Sequence, residues 1–237
     1  MSEQTSKGRR RRGGSAREAR RAQRAAGGGR SLPAYITRKT PTYELLDEES
    51  LAQIEHNADT ILEEVGIEFR EYPRALELFK DAGADIDGER VRFPRGMCRS
   101  LIQASAPTQF TQHARNPERS VQIGGDAMVL VPAYGPPFVH DLRGERRYAT
   151  IEDFQNFIKL AYMAPSLHHS GGTVCEPVDL PVNKRHFDMV YSHIRYSDKP
   201  FMGSVTAPER AQDSVDMAKI VFGDEFVDNN AVMIKLI

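Results

Sequence analysis

Cysteine, tryptophan and long apolar runs are scarce or missing in this 237-residue chain. The two cysteines, Cys98 and Cys175, form no CxxC pair and supply no disulfide framework, which indicates a reducing compartment. No run of about 18 apolar residues occurs, so the sequence predicts no transmembrane helix. The first residues also lack the apolar core of a secretory signal. We therefore predict a cytoplasmic location without membrane contact.

Acidic residues are rare in the first 38 residues, where Lys7 and ten arginines are offset only by Glu3 and Glu18, a net charge of +9. Because the whole chain carries −1, the remainder carries −10. Residues 1–33 have almost no large apolar side chain and cannot offset the entropy of ordering, so we predict a disordered arginine-rich tail. Weak, salt-dependent polyanion binding and an organellar transit peptide are the alternatives. Nucleic acid is not the expected partner, because no aromatic side chains are interleaved with the arginines.

Helical and short-strand patterns alternate irregularly over residues 34–120. Asp47 precedes a helical pattern that runs to Gly66, and two further helices are predicted up to Gly83 and from Pro94. Short strands are predicted at IEF, VRF and QFTQHA. The region is predicted to be a small α+β layer, and its residues show no catalytic constellation.

Strands and helices alternate regularly from residue 121 to residue 237. Strands are predicted at 127–135, 166–177, 199–205 and 231–237, with helices beginning at Thr150, Pro181 and Pro208, and a hairpin turning at Arg143 and Gly144. This alternation is typical of βαβ units on a parallel sheet. About four strands make half of a closed (β/α)8 barrel. We predict an α/β fold, a partial TIM barrel that stops before it closes; a four-stranded open sheet is the alternative.

Several blocks of residues follow one another in an order that resembles a known family. They are LAQIEHNADTILEEVGIEF, ALELFKDAGADIDGERVRFP, ARNPERSVQIGG, PPFVHDLRGERRYATIEDFQNFIKLAYMAP and YSDKPFMGSV, within residues 40–237. Each block alone is weakly specific. Their succession resembles the trimethylamine methyltransferase family, which comprises the corrinoid-dependent methyltransferases of trimethylamine, glycine betaine and related amines.

The resemblance implies a β/α barrel roughly twice as long as the folded part seen here, so that the chain would hold only its N-terminal half. It implies an enzyme that moves a methyl group from a small tertiary or quaternary amine to the cobalt of a separate corrinoid protein, in methylamine metabolism or methanogenesis-type methyl transfer. The implied partners are the corrinoid protein and the methylated amine, and this chain itself would bind no cofactor tightly. We expect the chain alone to be inactive, and its open sheet edges to favour homo-oligomers.

Catalytic groups of a β/α barrel lie in the loops that follow the strands. A quaternary ammonium is recognised by aromatic faces, with a carboxylate as a further contact. Tyr134 is the candidate aromatic wall, Glu176 the candidate carboxylate, and Ser204 a candidate donor to a substrate carboxylate. Each also has an ordinary structural interpretation: barrel-mouth packing for Tyr134, pairing with a basic side chain for Glu176, and small size in a crowded position for Ser204. No catalytic residue is identified.

His168, His169, Cys175 and Glu176 form the only cluster of metal-ligand types in the sequence. In an extended strand His169 and Cys175 would lie about 20 Å apart, too far for one ion. We therefore predict no metal site. The competing interpretation of the whole chain is noncatalytic: a truncated product, or an interaction module whose basic tail binds polyanions.

Overall fold

The computed structural model describes residues 33–204 and 206–236, without the side chains of Ser204, Lys235 and Leu236. The predicted disordered tail, apart from Pro33, lies outside the described residues. No helix in the described ranges is long and apolar enough to cross a membrane. The structure divides into a small unit, residues 37–110 and 124–126, and a large unit, residues 33–36, 111–123 and 127–236.

The described chain is mixed α/β. Its helices are α1 (Glu48–Thr60), α2 (Pro73–Asp81), α3 (Met97–Ser105), α4 (Ile151–Met163), α5 (Arg185–Tyr196), α6 (Pro208–Phe222) and α7 (Asp224–Asn229), with a π-helical turn at Ile61–Val65 and a 3-10 turn at Pro117–Arg119. Its strands are β1 (Ile36–Thr37), β2 (Ile67–Glu68), β3 (Asp85–Asp87), β4 (Arg90–Arg92), β5 (Gln109–Gln112), β6 (Val121–Gly124), β7 (Ala127–Met128), β8 (Phe138–His140), β9 (Arg146–Tyr148), β10 (Phe201–Ser204) and β11 (Met233–Leu236).

The small unit is an α+β layer around a three-stranded sheet. The sheet order is β2-β4-β3 and both pairings are antiparallel. Asp47 begins α1 by accepting a hydrogen bond from the Ser50 amide at 2.8 Å, as expected of an N-cap residue. Gly66, at φ 71°, ends the π-helical turn. Val91, fully buried, and Phe93 centre its core.

The large unit contains a parallel crossover. Strand β10 pairs with β11 in parallel, from Phe201 opposite Met233 to Ser204 opposite Leu236, and α6 and α7 connect them. The predicted parallel relation of these two strands is confirmed. The hairpin β8–β9 is antiparallel, as its turn signal predicted. Two more two-stranded sheets pair β1 with β7 and β5 with β6, and no sheet of the described residues closes into a barrel.

Two of the predicted long strands are wrong. Only Ala127–Met128 is a strand within the predicted 127–135, and residues 166–177 contain no regular strand. Single backbone hydrogen bonds still place these segments side by side: the Leu130 carbonyl accepts from the His168 amide at 3.0 Å, and the Pro200 carbonyl accepts from the Ser170 amide at 2.9 Å. The extended segments therefore lie in the order 130, 168–170, 200–204, 233–236. Prolines and glycines interrupt the ladders that would make the first two regular.

Helix α4 anchors the large unit. Thr150 and Asp153 form a capping box, and the predicted start of this helix at Thr150 is confirmed. Arg147 donates to both carboxylate oxygens of Asp153, at 2.6 and 2.8 Å, and this pairing holds the pKa of Asp153 well below its usual range. The buried face of α4, Phe154 and Ile158 among it, packs into the core. That core consists of Val139, Ala149, Phe154, Ile158, Val174, Cys175 and Met189.

Candidate functional site

The three segments that carry the candidate residues Tyr134, Glu176 and Ser204 meet in the large unit. The Gly135 amide donates to the Thr173 carbonyl at 2.7 Å, and the Glu176 amide donates to the Pro136 carbonyl at 3.0 Å. The Met202 amide donates to the Gly171 carbonyl at 2.8 Å. Backbone hydrogen bonds thus hold three segments together: the one after residue 131, the one that begins at Gly171, and β10.

Tyr134 lies against Gly172, the second residue of the glycine pair Gly171–Gly172, at the centre of this junction. A Cβ atom on Gly172 would come within 2.8 Å of the Tyr134 Cε2 atom and 3.0 Å of the Met202 Cβ atom. The tyrosine ring therefore covers Gly172 closely, and a Cβ atom there would force the ring to shift. Tyr134 is 44% exposed, so part of the ring remains open to a ligand.

Glu176 and Ser204 are placed differently. The Glu176 carboxylate, half exposed, pairs with the guanidinium of Arg185 at the start of α5. Its charge is therefore already partly neutralised, and a substrate cation would share it with Arg185. Ser204 ends β10 opposite Leu236, and its side chain lies outside the described residues.

A network of buried polar side chains lies beneath the glycine pair. His169 is 2% exposed; its Nδ1 atom accepts from the Gly171 amide at 2.9 Å, so Nε2 carries the hydrogen and donates to Gln112 at 3.2 Å. Gln112 in turn donates to the Phe201 carbonyl at 2.8 Å. Burial, and to a lesser degree the neighbouring His193, lowers the pKa of His169 to about 3. The imidazole is consequently neutral at physiological pH.

His193 on α5 makes the second half of this network. It lies within 2.9 Å of both the Ser170 hydroxyl, through Nδ1, and the Gly172 carbonyl, through Nε2. Burial lowers the pKa of His193 to about 4, so it too is neutral. Because a carbonyl only accepts, Nε2 carries the hydrogen and Nδ1 accepts from Ser170.

The cluster of metal-ligand residue types does not assemble. Cys175 is fully buried in the apolar core, and burial raises the pKa of its thiol to about 12, which disfavours the thiolate that a metal or an electrophile needs. His168 Nδ1 is occupied by the Leu130 amide at 3.0 Å. Among the described residues no group of three or more His, Cys, Asp or Glu side chains could hold a metal ion.

Two cavities of about 430 Å³ each lie in the large unit, and Tyr134 lines neither. One is apolar and is lined by Pro132, Phe138, Phe157 and Val174, among others. The other is polar and contains Asn116, Arg119, His168 and Lys199. The Lys199 ammonium is already saturated by three carbonyls, those of Ala161, Ala164 and Leu167, at 2.8 to 2.9 Å. Both cavities are separate from the junction at Tyr134, which remains the candidate site.

Sequence reasoning did not identify His193 and Gly172. The sequence does carry a signal for His193, which recurs at helical spacing with His186, Met189 and Val190. In the structure all four side chains are buried. This pattern places His193 in the core, but nothing in it gives the partner. Gly172 has no such signal, because its contact with Tyr134 depends on the meeting of two segments that are distant in sequence.

The large unit is thus a mixed α/β fold with a parallel crossover, in which loops after extended segments meet around a half-exposed tyrosine. This arrangement defines an α/β protein with a candidate site where extended segments end. The chain belongs to the trimethylamine methyltransferase (MTTB) family, whose family model matches residues 10–237.

Two relatives narrow the comparison. The chain is 48% identical over 198 residues to a glycine betaine methyltransferase of Desulfitobacterium hafniense (strain Y51), covering 83% of this chain and 41% of that protein. It is 29% identical over 199 residues to a proline betaine:corrinoid methyltransferase of Eubacterium limosum, covering 80% of this chain and 38% of that protein. The matches thus span about two-fifths of the length of each relative.

Proposed function

We propose that this chain forms part of a methyltransferase that moves a methyl group from a betaine-type quaternary amine to the cobalt of a separate corrinoid protein. The observation that carries the proposal is the 48% identity to a glycine betaine methyltransferase. We also propose that the extended segments at 130, 168–170, 200–204 and 233–236 occupy the positions of the first four strands of a β/α barrel, and that the protein acts in the cytoplasm. Their order along the hydrogen bonds supports this fold.

The chemistry makes modest demands on the protein. The methyl carbon–nitrogen bond breaks with its electron pair left on nitrogen, so the leaving group is a neutral tertiary amine that needs no proton. The corrinoid of the partner protein supplies the nucleophile, reduced cobalt. The protein must hold the cation, exclude water and orient the methyl group.

The residues at the junction can meet part of these demands. The open part of the Tyr134 ring offers a π face to the trimethylammonium group. Glu176 adds negative charge nearby, moderated by Arg185. Ser204 remains the candidate for the substrate carboxylate. The ring nitrogens of His169 and His193 are all hydrogen-bonded, so neither imidazole is free to bind a metal or the cobalt.

Substrate binding tests the proposal directly. Isothermal titration calorimetry of the chain with glycine betaine should show saturable binding. Tyr134→Ala should weaken this binding roughly tenfold, and Tyr134→Phe should preserve it, because the ring face and not the hydroxyl attracts the cation. Tyr191→Ala, which removes an exposed tyrosine from α5, is the matched control. No binding, or equal affinity in Tyr134→Ala, would refute the site.

Turnover is a separate measurement. Dimethylglycine formation from glycine betaine and reduced corrinoid would report methyl transfer, and we expect none from the 237-residue chain alone. Dimethylglycine produced by this chain would contradict the expected inactivity while supporting the proposed reaction.

A further inference from the structure

His193 is buried in the large unit and is held there by contacts on both its faces and both its ring nitrogens. It is 1% exposed, and its ring lies edge-on to Phe154, with centroids 5.5 Å apart, and is stacked on Phe201 at 5.4 Å. Both ring nitrogens are used, one by Ser170 and one by the Gly172 carbonyl. An imidazole with fixed faces and fixed edges can determine the position of the peptide to which it donates.

The peptide that receives this hydrogen bond is the one on which Tyr134 packs. Gly172 is not among the residues with positive φ, so its backbone would accept other residues. What excludes a side chain there is contact, since a Cβ atom would lie 2.8 Å from the Tyr134 ring. A movement of Gly172 towards the ring would therefore displace the Tyr134 ring.

We propose that His193 is a positioning residue for the candidate cation site: its Nε2–H holds the Gly172 carbonyl, and Gly172 sets where the Tyr134 ring lies. Only the use of Tyr134 by a substrate rests on the proposed function. The positioning itself is a property of the folded chain and can be tested without a ligand.

Two amide substitutions separate the two hydrogen bonds of His193. The glutamine amide reaches approximately the position of Nε2, so His193→Gln keeps a donor for Gly172. The shorter asparagine amide reaches approximately the position of Nδ1, so His193→Asn keeps a partner for Ser170 but loses the bond to Gly172. Both variants are neutral and polar, which makes them matched controls for each other.

Fluorine NMR of the chain labelled with 3-fluorotyrosine provides the measurement. The sequence has eight tyrosines, and Tyr134→Phe identifies the resonance of Tyr134. We expect His193→Asn to move this resonance by more than its linewidth and His193→Gln to leave it in place. Gly172→Ala should also move it, because the new methyl group meets the ring. An unmoved Tyr134 resonance in His193→Asn, equal shifts in both amide variants, or shifts in all eight resonances would each overturn the proposal.

Ligand affinity provides an independent second measurement. His193→Asn should raise the Kd for glycine betaine roughly tenfold at unchanged stoichiometry, and His193→Gln should change it little. If the wild-type chain binds no glycine betaine, the proposed function fails, and the fluorine resonances still decide whether His193 positions Tyr134.

Discussion

His169 and His193 make the large unit sensitive to acid. Burial lowers the pKa of these side chains to about 3 and about 4, from an ordinary value of 6.5. Below pH 6.5 the unfolded chain takes up protons on both imidazoles while the folded chain does not, so stability falls as the pH falls from about 6.5 towards 4. At pH 5 the loss is about 2 kcal/mol for each histidine. Thermal unfolding at pH 7.5 and 5.0 should show a large decrease in Tm.

The variant His193→Gln isolates one of the two contributions. It removes a titrating group from the core while keeping a donor for the Gly172 carbonyl, so about half of the decrease in Tm between the two pH values should disappear. His113→Gln, which makes the same substitution at a histidine outside this network, is the matched control. A pH dependence that persists in full in His193→Gln would show that other groups cause the acid sensitivity.

Among the helices, α4 ends in an unusual way. The buried Lys199, 5% exposed, donates to the carbonyls of Ala161, Ala164 and Leu167. These carbonyls lie at and just beyond the helix end, where a positive charge also suits the helix dipole. The Ala164 carbonyl also accepts from the Leu167 amide at 3.2 Å. Burial lowers the pKa of Lys199 to about 8, which leaves it mostly charged at neutral pH.

Replacing Lys199 by methionine should therefore destabilise the fold. Three carbonyls would lose their charged donor, and we expect a loss of about 3 kcal/mol. Urea denaturation measures this loss, with Lys159→Met, at an exposed lysine on the same helix, as the control. Equal stability of the two variants would mean that water replaces the ammonium at no cost.

Elements with local signals could be predicted from the sequence. The capping box at Thr150 begins α4, and Pro208 and Gly223 delimit α6. Elements that depend on distant partners could not: residues 166–177 are held by single bonds to other segments, α5 begins at Arg185 and not at Pro181, and the short helix α7 was missed. For such segments the tertiary contacts, and not the residue pattern, decide the conformation.

The candidate site shows the same division. The rule that strand ends carry function led to Tyr134 as a candidate, and backbone hydrogen bonds bring its segment beside the one that begins at Gly171. It could not place the imidazole of His193 under Gly172, since a helix contributes it from another part of the chain. The pairing of Glu176 with Arg185 was also undetermined, because many basic side chains could have been near.

On the scale of the whole molecule, the outer side of α4 exposes large apolar side chains. Leu160 is 64% exposed and Met163 is 74% exposed. Exposed apolar surface of this kind is typical of contact regions. A second copy of the chain presents the same apolar surface.

We therefore expect the isolated chain to self-associate through this face. Sedimentation velocity over a hundredfold range of concentration should show a weight-average mass that rises with concentration. Leu160→Lys should shift this rise to higher concentration, because burying a lysine at the contact costs desolvation of its charge. Leu142→Lys, at a fully exposed position in the turn between β8 and β9, introduces the same charge elsewhere and should have little effect. A chain that stays monomeric throughout, or that responds equally to both lysines, would show that the α4 face does not mediate association.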